Sequence, residues 1–140
     1  MQLYFRAAED GLAYRALIIN PAIHCTGLGK AILAYLPEED LKTILSRLPL
    51  VRRTNKSITD KNKLLQDLER TRKRGYAINN EEYIKGLFTV ATPFFNLETG
   101  RPIGAVSFDF LVSQASLREV EKKYIKALLK LGKDISAVIK

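Results

Sequence analysis

The feature that most constrains this chain is a change of hydrophobic period in its second half. Two runs, "GLFTVATPFFN" and "RPIGAVSFDFLV", are crowded with β-branched and aromatic residues and flank "LETG". Such side chains fit a pleated backbone, and a polar, Gly-containing break between two of these runs marks a hairpin. Immediately afterwards, "SLREVEKKYIKALLKLGKDISAVIK" places Leu117, Val120, Tyr124, Leu128, Leu131, Ile135 and Val138 three or four residues apart. That spacing predicts one face of a helix directed at the core. Ser116, three residues before Glu119, supplies a capping box to open it. A hairpin followed by an amphipathic helix buries both apolar surfaces if the helix lies across the sheet.

The first half carries helix signals. The segment from about Gly27 to Leu36 is apolar, and Pro37 opens "PEEDLKTILSRL" with Glu38, Glu39 and Asp40 in a first turn that favours negative charge. "PLVRRTNKSI" is polar and aperiodic, a surface loop, after which Thr59 or Asp60 caps a helix that ends at Gly75. Residues 2–20 read as two short strands around Asp10-Gly11, a dipeptide suited to positive φ. The order predicts an α+β domain with helices packed on an antiparallel sheet. With 140 residues, 46% of them hydrophobic, and no repeat or linker, residues 1–140 are expected to form a single domain.

A single cysteine, Cys25, excludes an internal disulfide, and neither a leader nor a run of about 18 apolar residues is evident, so a cytoplasmic protein with no membrane span is expected. The charge balance, 23 Lys+Arg against 15 Asp+Glu, has two readings. The cations complement helix dipoles and stay solvated at the ends or outer faces of helices, as in Arg70, Arg72, Lys73 and Arg74, or they provide a field for a DNA-binding partner or an acidic ligand.

The segment "HCTGLGKAILAYLPEED" holds the only histidine, His24, beside Cys25 and a Gly-Leu-Gly-Lys turn. A P-loop would need a glycine where His24 stands and Ser or Thr where Ala31 stands, and a dinucleotide fingerprint would need a glycine at Ile32. Both fail. One His and one Cys adjacent in sequence do not make a zinc site, so neither a metal nor a cofactor is expected. Cys25 reads as a small buried hydrophobe, the competing reading being a nucleophile, and His24 as a histidine satisfied by a backbone group or as a ligand contact. Gly27 and Gly29 permit close backbone approach, and the amides heading the following helix favour a carboxylate.

Three ordered segments, "HCTGLGKAILAYLP", "RGYAINNEEYIKGLFTVATP" and "GRPIGAVSFDF", resemble the effector-binding domain of IclR-type bacterial transcriptional regulators, over nearly the whole chain from about Ile19. The resemblance implies a GAF-like, profilin-like sheet with helices on both sides and a pocket for a small organic acid or sugar acid. It implies DNA binding through a winged helix-turn-helix domain and assembly into dimers or tetramers. The chain is expected to lack that DNA-binding domain, the linker helix and the first strand of the effector domain. By the resemblance the pocket is lined by Gly27, Leu28, Asn79, Thr89, Ser107 and Asp109. The sequence departs from the family where acids are frequent (Asn79), where a cysteine often lies (Thr89) and where a second serine is common (Asp109).

The residues themselves support part of that lining. If "NLETG" is a five-residue loop, Thr89 lies opposite Ser107, and Ser107 and Asp109 share one face while Val106, Phe108, Phe110 and Val112 form the other, core face. Asp109 beside a bound carboxylate is repelled unless it is protonated or paired with Lys30 or Lys85, which points to a ligand carrying hydroxyl or amine groups that donate to it. Its plainer reading is a strand-end salt bridge. Glu81 and Glu82 read as caps or surface acids at a turn, or as ligand contacts. The expected function is therefore a non-catalytic sensor of a small organic or sugar acid. The alternatives are a GAF-like redox enzyme using Cys25 and a basic nucleic-acid-binding module.

Overall fold

The structure, a computed structural model, describes residues 22–139. The strands expected within residues 2–20 lie outside the described residues. A short 3-10 turn at Ile23–Cys25 leads into α1 (Gly27–Ala34), followed by α2 (Glu38–Arg47) and α3 (Lys61–Arg74). Strands β1 (Ala77–Asn80), β2 (Leu87–Phe95) and β3 (Pro102–Leu111) come next, and α4 (Leu117–Val138) closes the chain.

Local chemistry places the boundaries. Thr26 caps α1 by accepting from Gly29 N at 3.1 Å, and the helix stops short of Leu36 because Pro37 disfavours helical backbone in the residue before it. Asp60, not Thr59, caps α3, its Oδ1 accepting from Asn62 N at 2.8 Å, and Gly75 ends that helix at φ +94°. At α4 the Ser116 cap forms, Glu119 N donating to Ser116 Oγ at 3.2 Å, but the return bond of a full capping box is altered: Glu119 Oε1 accepts from the Ser116 hydroxyl at 3.1 Å instead of from its backbone N–H.

The strands form an antiparallel sheet in the order β1-β2-β3. β1, "AINN", carries too little β-forming character to be read as a strand, and its pairing with β2 creates it. The hairpin register differs from the expected one. Asn96 N donates to Arg101 O (2.9 Å) and Gly100 N to Asn96 O (2.8 Å), with Gly100 at φ +72°, so the turn occupies residues 96–101 and Phe95 pairs with Pro102. An irregularity between Phe94 and Phe95 shifts the ladder once more. Thr89 therefore faces Asp109, and Ser107 faces Ala91. The displacement is two residues, one full strand period, so Thr89, Ser107 and Asp109 keep a common face.

The sheet is covered on both sides. On one face, Ala77, Ala91 and Ala105 belong to a core shared with Ile23, Leu28, Ala31 and Ile32 around α1 and with Leu64 and Leu68 of α3. The small strand side chains let α1 approach closely. On the other face, Phe88 and Val90, flanked by Ile78, Val106, Phe108 and Phe110, pack under Val120 and Leu128 of α4. Val112, expected with that face, lies past the end of β3 and is exposed.

The buried face of α4 is also rotated from the expected one. Val120, Leu128, Gly132 and Ser136 are buried, while Tyr124, Leu131 and Val138 are 43%, 37% and 76% exposed. Small residues decide this. A Cβ on Gly132 would stand 2.7 Å from Thr92 Cγ2, and Ser136 Oγ accepts from Phe95 N at 2.9 Å, so the closest helix–sheet contact runs through positions that hydropathy does not mark as core.

Candidate functional site

The first turn of α1 sits directly on β2. A Cβ built on Gly27 would lie 2.6 Å from Thr89 Cγ2 and 3.5 Å from Ala91 Cβ, so only glycine permits this approach. Thr89 is flanked by Asn79 on β1 and Asp109 on β3, and the three form one row across the sheet. The row grades from buried to open: Asn79 is 3% exposed, Thr89 is buried, and Asp109 lies at the exposed end.

The polar atoms of the row are tied together. Thr89 Oγ1 donates to Asp109 Oδ1 at 2.8 Å, and Ser107 Oγ donates to the same oxygen at a long 3.4 Å. Asn79 Oδ1 accepts from Glu82 N at 2.9 Å, which orients the side chain, because a backbone N–H only donates. Its amide nitrogen remains the donor. At the head of α1, Thr26 takes the Gly29 amide, while the Gly27 and Leu28 amides precede the first intrahelical acceptor. Gly27 and Leu28 are both buried.

Gly27, Asn79, Thr89 and Asp109 are thus brought into one neighbourhood, with Leu28 beside Gly27 and Ser107 beside Asp109. They do not share one wall. Ser107 and Asp109 line an open depression together with Phe108, Phe110 and Tyr124, and Gly27, Leu28, Asn79 and Thr89 are not among its lining residues. What the arrangement offers chemically is a set of donors, amides and hydroxyls, around one carboxylate.

The partner expected for Asp109 is not there. It makes no ion pair among the described residues, neither with Lys30 or Lys85 nor as a strand-end salt bridge, and Thr89 and Ser107 supply its hydrogen bonds instead. Lys30 is 0% exposed and turns the other way: its Nζ donates to Asp67 Oδ2 at 2.8 Å and to Glu82 Oε1 at 2.9 Å. Glu82 Oε2 also accepts from Asn80 N at 3.0 Å. Glu82 is therefore neither a surface acid nor a cap but the buried counter-ion that fastens the turn after β1 to α1 and, with Asp67, to α3. The sequence signal for this was a lone lysine inside the apolar "GLGKAILA", where a charge enters only with partners.

His24 Nε2 lies 2.9 Å from Val51 O, so this nitrogen carries the proton, and Nδ1 has no hydrogen-bond partner among the described residues. Cys25 is buried, its thiol donating to Ala22 O at 3.3 Å. Burial pushes the thiol up from 9.0 to about 11, which the positive charge of Arg53 only partly opposes. At neutral pH it holds its proton, the opposite of what a nucleophile requires. Among the described residues no group of three or more His, Cys, Asp or Glu is placed to hold a metal, and no helix is long and apolar enough to cross a membrane.

Comparison with known proteins matches residues 20–137 to the family described as "Bacterial transcriptional regulator IclR C-terminal". The chain is 37% identical over 135 residues to the HTH-type transcriptional regulator BhcR of Paracoccus denitrificans, a match covering 93% of the chain and 48% of BhcR. Among solved structures, the IclR of Thermotoga maritima superposes with a TM-score of 0.77 at 35% identity, covering 82% of this chain and 46% of that one. The C-terminal domain of the Escherichia coli transcriptional regulator KdgR gives 0.76 at 32% identity, covering 82% and 69%. The chain thus spans about half the length of BhcR.

Proposed function

The chain belongs to the bacterial transcriptional regulator IclR C-terminal family, and from that membership we propose that residues 1–140 act as one cytoplasmic, non-catalytic effector-binding domain. Its ligand is a small organic acid or sugar acid, and it works in a homo-oligomer, dimer or tetramer, whose winged helix-turn-helix domains contact DNA. The observation that carries this reading is the Asn79–Thr89–Asp109 row with the head of α1 seated on its middle member. Helix-head amides accept an anionic group, and the hydroxyls of Thr89 and Ser107 with the Asn79 amide read polar substituents. Asp109 then selects ligands bearing a hydroxyl or amine that donates to it, and disfavours those presenting a second carboxylate at its position.

Sensing requires a ligand that binds one arrangement of the oligomer better than another, and a coupling of about 1–3 kcal/mol suffices for a strong response. Titration calorimetry with a panel of sugar acids and small hydroxy and keto acids tests the assignment. Thr89→Val and Ser107→Ala should each weaken the best ligand roughly tenfold, as expected for a lost hydrogen bond to a charged or polar group. Unchanged affinity in the Thr89→Val/Ser107→Ala double variant would remove this row as the site.

A further inference from the structure

A second concavity lies between the loop after α2 and the turn after β1. It encloses about 590 Å³, within the range of small-molecule sites of about 300–1,000 Å³, and its walls include Arg53, Lys56, Glu81, Tyr83, Ile84 and Lys85. None of Gly27, Leu28, Asn79, Thr89, Ser107 or Asp109 lines it. Its charge is unbalanced. Glu81 is its one carboxylate and is taken by Lys56 at 2.9 Å, while Arg53 and Lys85 make no ion pair among the described residues. The Arg53 guanidinium lies over the Tyr83 ring, 5.6 Å from its centroid, and Ile84 is exposed beside it. Cations thus stand around an apolar floor.

The cleft is held in shape before any ligand arrives. Thr54 Oγ1 donates to Glu81 O and Ser57 Oγ to Glu82 O, each at 2.6 Å, stitching the two loops together. Ser57 Oγ in turn accepts from Arg53 N and Thr54 N, both at 2.9 Å. Glu81 itself sits at φ +56°, a conformation that non-glycine residues seldom adopt and that surrounding contacts must enforce, here Gly86 N on its Oε1 and Lys56 on its Oε2. Strain of this kind concentrates at ligand clamps.

We propose that this cleft is a second anion-binding site, taking a small organic molecule that carries two carboxylates on a flat or apolar body. The body rests on Tyr83 and Ile84, and the carboxylates meet Arg53 and Lys85. Arg53 and Lys85 form no ion pair among the described residues, although the Lys85 charge also acts on Glu81 from a distance, so together they favour a dianion over a monoanion, and the guanidinium fork suits a carboxylate. The site stands independently of the Asn79–Thr89–Asp109 row. It is joined to it mechanically, because Glu81 faces the cleft while its neighbour Glu82 grips Lys30 on α1.

Phthalate, a rigid aromatic dicarboxylate, is the probe, with benzoate as the monoanion and sodium chloride at matched ionic strength as the control. In a two-dimensional amide NMR titration, phthalate should give saturable shifts at residues 53–56 and 81–86, with benzoate at least about fivefold weaker. The exposed substitutions Arg53→Gln and Lys85→Gln together should weaken phthalate roughly tenfold or more while the melting temperature holds. If the double variant melts lower, Lys85→Gln alone carries the comparison. Equal shifts with sodium chloride, unaltered phthalate affinity in the variants, or shifts confined to Thr89 and Ser107 would overturn the proposal. Because each site reports through its own amides, failure here is distinguishable from failure of the effector site.

Discussion

Gly27 and Thr89 touch so closely that no side chain fits between them: a Cβ on the glycine would stand 2.6 Å from the threonine methyl. This one contact sets the distance between α1 and the sheet, and with it the placement of the helix-head amides over the polar row. Gly27→Ala should push α1 outward and destabilise the fold by about 1–3 kcal/mol, the usual cost of overpacking. Thr89→Ser removes the offending methyl and keeps the hydroxyl on Asp109, so Gly27→Ala/Thr89→Ser should regain most of the loss. Urea denaturation of the four proteins measures it, and strictly additive effects would show that the contact is not the cause.

The buried cation predicts a larger effect. Lys30→Met leaves the buried Glu82 carboxylate without its cation and Asp67 with only the exposed Arg70 at 3.4 Å, and breaking a buried pair in this way costs about 3–5 kcal/mol. Neutralising them as well, with Asp67→Asn and Glu82→Gln, should restore part of the stability. A loss for Lys30→Met below about 1 kcal/mol, the range of exposed pairs, would mean that water reaches the triad.

Cys25 gives a chemical reading. With its thiol raised to about 11, the native protein should resist iodoacetamide at pH 8 and react only once unfolded. The folded state holds this proton more tightly than the unfolded state, whose value is 9.0, so the stabilisation is complete below about pH 9 and is lost as pH rises through about 11. Cys25→Ala should flatten the fall in stability over that window. Rapid alkylation of the native thiol at pH 8 would contradict the burial on which this rests.

Tyr76 behaves alike at higher pH. Burial, the hydrogen bond from its hydroxyl to Glu121 and the nearby charge of Glu121 raise it from 10.0 to about 12. The neutral phenol is the favoured native form, so its contribution is intact below about pH 10 and disappears towards pH 12. Burial raises Tyr35 as well, so ultraviolet titration should find a late-ionising component of which the Tyr76 part is missing in Tyr76→Phe and shifted downward in Glu121→Gln. Identical titration curves for wild type and Glu121→Gln would rule out the proposed cause.

Much of the architecture was readable because it depends on neighbours in sequence. The caps at Asp60 and Ser116, the stop at Gly75 and the hairpin with its alternating faces all follow from side chains acting within a few residues. The errors share a different origin. The register slipped because turn length and an irregularity at Phe94/Phe95 add residues that composition does not reveal, yet the polar face survived because the slip equalled one strand period. The rotation of α4 escaped notice because Gly132 and Ser136 pack by being small, whereas hydropathy ranks by size and greasiness.

By itself, then, the sequence determined which segments are helices, which strands form the hairpin, and which of the hairpin residues share a face, since those properties arise from capping, alternation and turn chemistry over short distances. Only the tertiary structure decided that Thr89 meets Asp109, that Gly27 closes onto Thr89, and that Lys30 spends its charge on Asp67 and Glu82. Those pairings join residues far apart in the chain, and they are chosen by packing distance and by the need of a buried charge for partners, neither of which any local stretch of residues contains.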